Sequence, residues 1–151
     1  MSKRQKQWMI FGGTLTGLVA GCAAWVNRRL FTVNDITTGE SAAYPELRSR
    51  VYYATVERVM TTAEQAIRGL PRWRVVYVDT ENDALEAEVE TLAGRFLDDL
   101  TLYALPLGHG QTRAIIRSRS RVGRGDLGQN ALHIRELQAA MDTRLNADAA
   151  F

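Results

Sequence analysis

The stretch DDLTLYALPLGHGQTRAIIRSRSR, residues 98–121, decides the fold. Two alternating runs, 98–105 and 112–121, flank Pro106-Leu107-Gly108-His109-Gly110-Gln111, a segment suited to a hairpin connection. Folding it symmetrically about His109 sets Leu100 against Ser118, Leu102 against Ile116 and Ala104 against Ala114 on one face. On the other face Thr101 meets Arg117, and Asp99 meets Arg119 in an expected cross-strand ion pair. A slip of one residue would send every side chain to the wrong face, so the apolar matching constrains the register.

Two more strands precede the hairpin. Residues 73–79 are β-branched and aromatic and are bounded by Pro71 and by Thr80-Glu81-Asn82-Asp83. Residues 84–91 alternate, with Leu85, Ala87 and Val89 on one face and Glu86, Glu88 and Glu90 on the other. Before them, Thr55 suits a helix N-cap, with Glu57 in the first turn. Val56, Val59, Met60, Ala63, Ile67 and Leu70 form one helical stripe, which Gly69 and Pro71 end.

After the hairpin comes RSRSRVGRGDLGQN, residues 117–130. Arg117, Arg119 and Arg121 share a strand face, Arg124 sits between glycines, and Asp126 is the expected N-cap of a last helix. Ala131, Ile134, Leu137, Met141 and Leu145 supply that helix's apolar stripe. Guanidinium forks beside a glycine loop and a helix N-terminus suit a carboxylate or phosphate, such as a lipid headgroup. The same arginines also suit neutralisation of the acidic stripe at 86, 88 and 90 and of Asp98 and Asp99. With Arg119 assigned to Asp99, the candidate partner- or anion-binding residues are Arg117, Arg121, Arg124 and Asn130.

The order helix, four strands, helix predicts an α+β domain at 51–151, a four-stranded antiparallel sheet with two helices on one face. A helix-grip arrangement, with a cavity between sheet and last helix, is a variant that would favour lipid binding. Residues 30–50 have no sustained period and suit a linker or arm. Residues 8–26 form 19 consecutive uncharged positions, flanked by basic residues, and residues 1–29 suit a transmembrane anchor. Val19-Ala20-Gly21-Cys22 also resembles a lipobox, making Cys22 a candidate lipidation site, and a cleaved signal shares the same features. The charge bias predicts a single pass through a bacterial inner membrane, with the domain facing the periplasm.

Charge narrows the partners. Five of the 19 basic residues fall in the first 29 positions, where there is no acid, so the rest of the chain sets 14 cations against 17 acids. A nucleic-acid partner would call for basic charge on the folded part, and none is expected. The lone cysteine lies in the apolar segment, and the histidines lie in a turn and on the last helix. Asp98 and Asp99 are consecutive on a strand and point to opposite faces. No nucleophile triad, closed metal site or nucleotide loop is assembled, and no cofactor is expected.

RSRSRVGRGDLGQNALHIREL, with RFLDD at 95–99 and NDITTGESAAYPEL at 34–47, resembles bacterial and plastid proteins of domain of unknown function 1499, over residues 33 to 145. The most specific part is carried by Arg117, Ser118, Ser120, Arg121, Gly123, Asp126, Leu127, Gly128 and Asn130. His133 stands where relatives often have an arginine. The resemblance implies an envelope or plastid context and an N-terminal membrane segment, and it transfers no activity. The leading expectation is a membrane-tethered, non-catalytic accessory or assembly subunit docking on other membrane protein subunits. An envelope-lipid or small anionic-ligand binder and an enzyme are the alternatives. The intact mass of protein extracted from membranes checks the N-terminus: a retained anchor gives an unmodified Cys22, and a lipoprotein gives a diacylated Cys22 at the new N-terminus.

Overall fold

The computed structural model describes residues 28–91 and 96–148. The apolar segment 8–26 and Cys22 lie outside them, and among the described residues no helix is long and apolar enough to cross a membrane. The chain runs β1 (Asp35–Thr37), β2 (Arg50–Tyr52), α1 (Val56–Gly69), β3 (Trp73–Asp79), β4 (Ala84–Glu90), β5 (Leu97–Gly108), β6 (Gln111–Ser120) and α2 (Gln129–Asp148). A helical turn at 28–32 precedes β1.

The sheet is antiparallel, in the order β1-β6-β5-β4-β3, with β2 also paired to β6. The hairpin has the expected register: Asp99 opposes Arg119, Leu100 opposes Ser118 and Leu102 opposes Ile116. It is tighter than expected, because the pairing shifts beyond Pro106 and a two-residue turn remains. His109 and Gly110 both have positive φ, 52° and 72°, as a type I′ turn requires.

The sheet has six strands rather than four. The segment expected to be a linker, 30–50, supplies β1 and part of β2, which lie end to end along the outer edge of β6. These three-residue strands have no alternation of their own to betray them, and their order comes from β6. Ile36, Tyr44 and Leu47 enter the core at 0%, 3% and 3% exposure, so this arm belongs to the domain.

Both helices cover one face. α1 is capped by Thr55, whose hydroxyl accepts from the Arg58 N–H at 3.2 Å, and buries Val59, Met60, Ala63 and Ile67. α2 buries Ala131, Ile134, Leu137, Met141 and Leu145, as the stripe predicts. Leu85, Leu100, Leu102 and Ile116 meet them from the sheet. Burial of such side chains is worth about 1.5–3 kcal/mol each, and the alternation delivers it to one face.

The arm is pinned to the glycine loop by close backbone approach. Asp126 N–H donates to Val33 O at 3.2 Å and Leu127 N–H to Leu30 O at 2.9 Å. A Cβ on Gly125 would lie 2.3 Å from the Phe31 carbonyl carbon, so only glycine lets the two strands of chain pass. Gly125→Ala is expected to cost about 1–3 kcal/mol. It is also expected to speed hydrogen exchange at the Asp126 and Leu127 amides, and unchanged protection there would count against this packing.

Candidate functional site

The alternation of β6 divides its polar residues between two environments. Arg113, Arg117 and Arg119 face outward, with Arg121 just past the strand end, while Thr112, Ser118 and Ser120 face the helices.

On the outer face, Arg117 binds Asp35 through both fork positions, Nε at 2.9 Å and Nη2 at 2.5 Å. The hydrogen bonds from Arg117 hold Asp35 below the usual carboxylate range, and Asp35 raises Arg117. Arg121 donates to Asp99 (Nε, 2.9 Å) and to Glu88 (Nη2, 2.5 Å), and Arg74 reaches Glu88 from β3. The expected Asp99–Arg119 ion pair is therefore replaced by a diagonal one. Arg121 lies beyond the ladder, and its fork spans two carboxylates where Arg119 faces one. Glu88 is lowered by Arg121 and Arg74. Arg119 lines a depression of about 310 Å³ with Glu86, Glu88, Asp99, Arg117 and Arg121, and its charge contributes to lowering Asp35. Arg124 is exposed in the loop and makes no ion pair among the described residues.

Asp126 and Asn130 are both internal. The Asp126 carboxylate accepts from Gly128 N–H and Asn130 N–H, each at 2.8 Å. It satisfies the helix start, but α2 opens at Gln129, two residues later than an N-cap at Asp126 predicts. Leu127 (φ 55°) and Gly128 (φ 83°) are left-handed and turn the chain between cap and helix. Asn130 is 0% exposed, so it is not a contact residue for a partner in solution. It accepts from Ser118 Oγ at 2.6 Å and donates to Ser120 Oγ at 2.9 Å and to Asn34 O at 3.1 Å. Arm, β6 and α2 thus meet at one amide.

From Ser120 the network continues inward. Asp98, opposite Ser120 across the hairpin, is 1% exposed, and its Oδ2 lies 3.5 Å from His133 Nδ1 without a hydrogen bond between them. The His133 ring meets Trp73 edge-on, with centroids 5.8 Å apart. Both imidazole nitrogens, Trp73 Nε1 and Asp98 Oδ2 have no hydrogen-bond partner among the described residues. Burial raises the Asp98 carboxyl, partly offset by Ser120, and burial pushes His133 down to about 4, helped by the Arg72 charge. Sequence reasoning passed over this pair. Its signals were there: the hairpin register sets Asp98 opposite Ser120 on the buried face, and His133 directly precedes Ile134 on the stripe of α2.

The domain is an antiparallel sheet gripped by a long C-terminal helix, and its arm and glycine loop are locked together by a polar junction. The chain belongs to the family described as Protein of unknown function (DUF1499), which matches residues 26–141 and so takes in the arm. No curated protein matches it. Among solved structures it is similar to a structural-genomics target from Nitrosospira multiformis, at 12% identity and TM-score 0.53, covering 78% of this chain and 99% of that one. That likeness is one of fold. A Thalictrum flavum norcoclaurine synthase point mutant (9% identity, TM-score 0.48, 78% and 98% covered) and a START superfamily protein from Mycobacterium smegmatis (13%, 0.45, 76% and 99%) are more distant.

A neutral buried histidine makes stability depend on pH. The folded pKa of about 4 lies below the unfolded value near 6.5, so the unfolded chain binds the proton first. The contribution of His133 is complete above the unfolded value and is lost as pH falls towards 4, while the raised Asp98 works in the opposite direction. The stability difference between wild type and His133→Gln is expected to shrink by about 1–3 kcal/mol between pH 6.5 and 4. Urea titrations across that range measure it, and a pH-independent difference would refute a neutral, desolvated His133.

Proposed function

We propose that this chain is a non-catalytic accessory domain, held at a membrane by residues 1–29, that docks on a larger membrane protein assembly through the uncovered face of its sheet. The observation that carries this reading is the composition of that face. The helices leave it bare, and near the hairpin end it presents Val51, Tyr103 and Leu105, at 44%, 42% and 44% exposure. Val51 and Leu105 both oppose Arg113 on the outward side of β6, so they belong to one surface row. Farther along the face the charges are largely answered internally: Arg117 by Asp35, and Arg121 by Asp99 and Glu88. A surface with an apolar patch beside neutralised ion pairs favours a protein partner over a polyanion.

The pinned arm supports the membrane part of the reading. Leu30, four residues past the end of the apolar segment, is already hydrogen-bonded to Leu127. A chain spanning the bilayer through 8–26 would therefore carry this domain against the membrane surface with little slack. In this reading the membrane is a bacterial inner membrane and the domain is periplasmic, with lipid attachment at Cys22 the alternative tether.

Tyr103→Ser combined with Leu105→Ser tests the docking face, since exposed substitutions leave stability within about 0.5 kcal/mol each. Tagged wild-type protein extracted in mild detergent is expected to bring defined membrane subunits with it, and the double variant is expected to lose them. A wild type that emerges alone, or a variant that keeps the same companions, would sink the proposal.

A further inference from the structure

One end of the sheet, opposite the hairpin turn, is apolar on its surface. Phe96 just before β5, and Val122 and Leu127 in the glycine loop, wall one depression of about 420 Å³ and are exposed at 50%, 64% and 62%. Phe31, whose backbone passes Gly125, is exposed at 64% beside the same loop. Single exposed apolar side chains are ordinary on a folded domain. Four of them, drawn from three chain segments to one tip, mark a surface that meets something apolar.

The chain itself says what lies beside that tip. The uncharged segment 8–26 ends at Val26, and Leu30 O already accepts from the Leu127 N–H at 2.9 Å. Four residues span at most about 14 Å when fully extended, so a bilayer crossed by 8–26 has its hydrocarbon boundary within that reach of Leu30. The headgroup layer takes up roughly 5–8 Å of the distance. Even a taut connection therefore holds the tip close to lipid, with Phe31 one residue beyond Leu30. The exposed charges at this end suit headgroup phosphates. Arg28 and Arg124 are exposed, the undescribed residues 92–95 contribute Arg95 and no acid, and the two carboxylates lining the depression, Asp98 and Asp126, are buried.

We propose that this tip, formed by Phe31, Phe96, Val122 and Leu127, inserts into the headgroup region of the bilayer as a second, interfacial attachment beside the tether. The inference rests on the reading of residues 1–29 as a membrane tether and deepens it by fixing which way up the domain stands. A tether alone leaves the domain free to roll. Two attachments at one end set the strands pointing away from the membrane, and burial of the four side chains at the lipid boundary holds them there. The apolar patch at Tyr103 and Leu105 lies eight residues along β5 from Leu97, about 26 Å farther out. A partner docking on that patch then meets it through a part that stands clear of the bilayer.

The full chain in nanodiscs of phosphatidylcholine and phosphatidylglycerol tests this, with a fraction of the lipid carrying a nitroxide just below the headgroup. The amides of Phe96, Val122, Gly123 and Leu127 are expected to lose intensity to the nitroxide, while those of Tyr103, Leu105 and His109 keep theirs. Val122→Asp combined with Leu127→Asp changes two exposed side chains and is expected to abolish the loss at the tip while the chain stays in the disc. Unchanged Leu100 and Ile116 shifts report that this variant is folded, and if it is not, the contrast between tip and hairpin in the wild type decides alone. A chain that does not enter nanodiscs overturns the tether and this inference with it. An anchored chain whose tip amides lose no more intensity than the hairpin amides overturns the inference alone, and so do tip shifts that follow the number of chains per disc, which would assign the patch to a second copy.

Discussion

Pairing of β5 with β6 is the constraint on which the rest of the molecule rests. It puts Leu100, Leu102 and Ile116 against the helices, and the same parity carries Ser118, Ser120 and Asp98 inward beside them. Those polar residues enter the interior because the register leaves them no other face. Once inside, the two serines are satisfied by Asn130 from α2, while Asp98 Oδ2 is left unpaired beside His133. The odd-numbered positions go outward, where arginines and carboxylates meet across four strands.

The arm and the glycine loop form a second level of organisation. Asn34 accepts from Asn130 and Ser120 through its carbonyl, and its side chain donates to Gly123 O. Asp35 neutralises Arg117, and Thr38 Oγ1 accepts from the Ile116 N–H. Two sequence segments some 80 residues apart are thereby cross-linked by polar contacts. These contacts involve several of the residues that carry the family resemblance: Asn34 and Asp35 on one side, and Arg117, Ser118, Ser120, Gly123 and Asn130 on the other. The motif is therefore largely an internal joint, and of its arginine row only Arg119 and Arg124 lack an ion pair among the described residues.

The hairpin, the glutamate stripe of β4 and both helical stripes were legible in the sequence because each element has a period that burial enforces. β1 and β2 were not, since three residues carry no period and their partner strand lies 60 to 84 positions away. Arg119 was matched to Asp99 because register specifies which residues are opposite. A guanidinium has the reach to choose a diagonal neighbour, and Arg121 does so. Asn130 was visible as part of a motif, and its burial became evident only once the arm was in place above it. The buried Asp98–His133 pair follows from combining strand parity with helix periodicity, two patterns that sequence reasoning treated separately.

β6 holds two short strands along one edge, separated by a turn at Gly39, where a single long strand would otherwise lie. At the other edge β3 carries a register shift between Val75 and Tyr77. Neither border offers a long, flat row of free amides and carbonyls. Many copies that meet at high local concentration are in the setting in which exposed sheet borders join into cross-molecule ladders. Interrupting one border and kinking the other lets this domain be crowded without being templated by its neighbours.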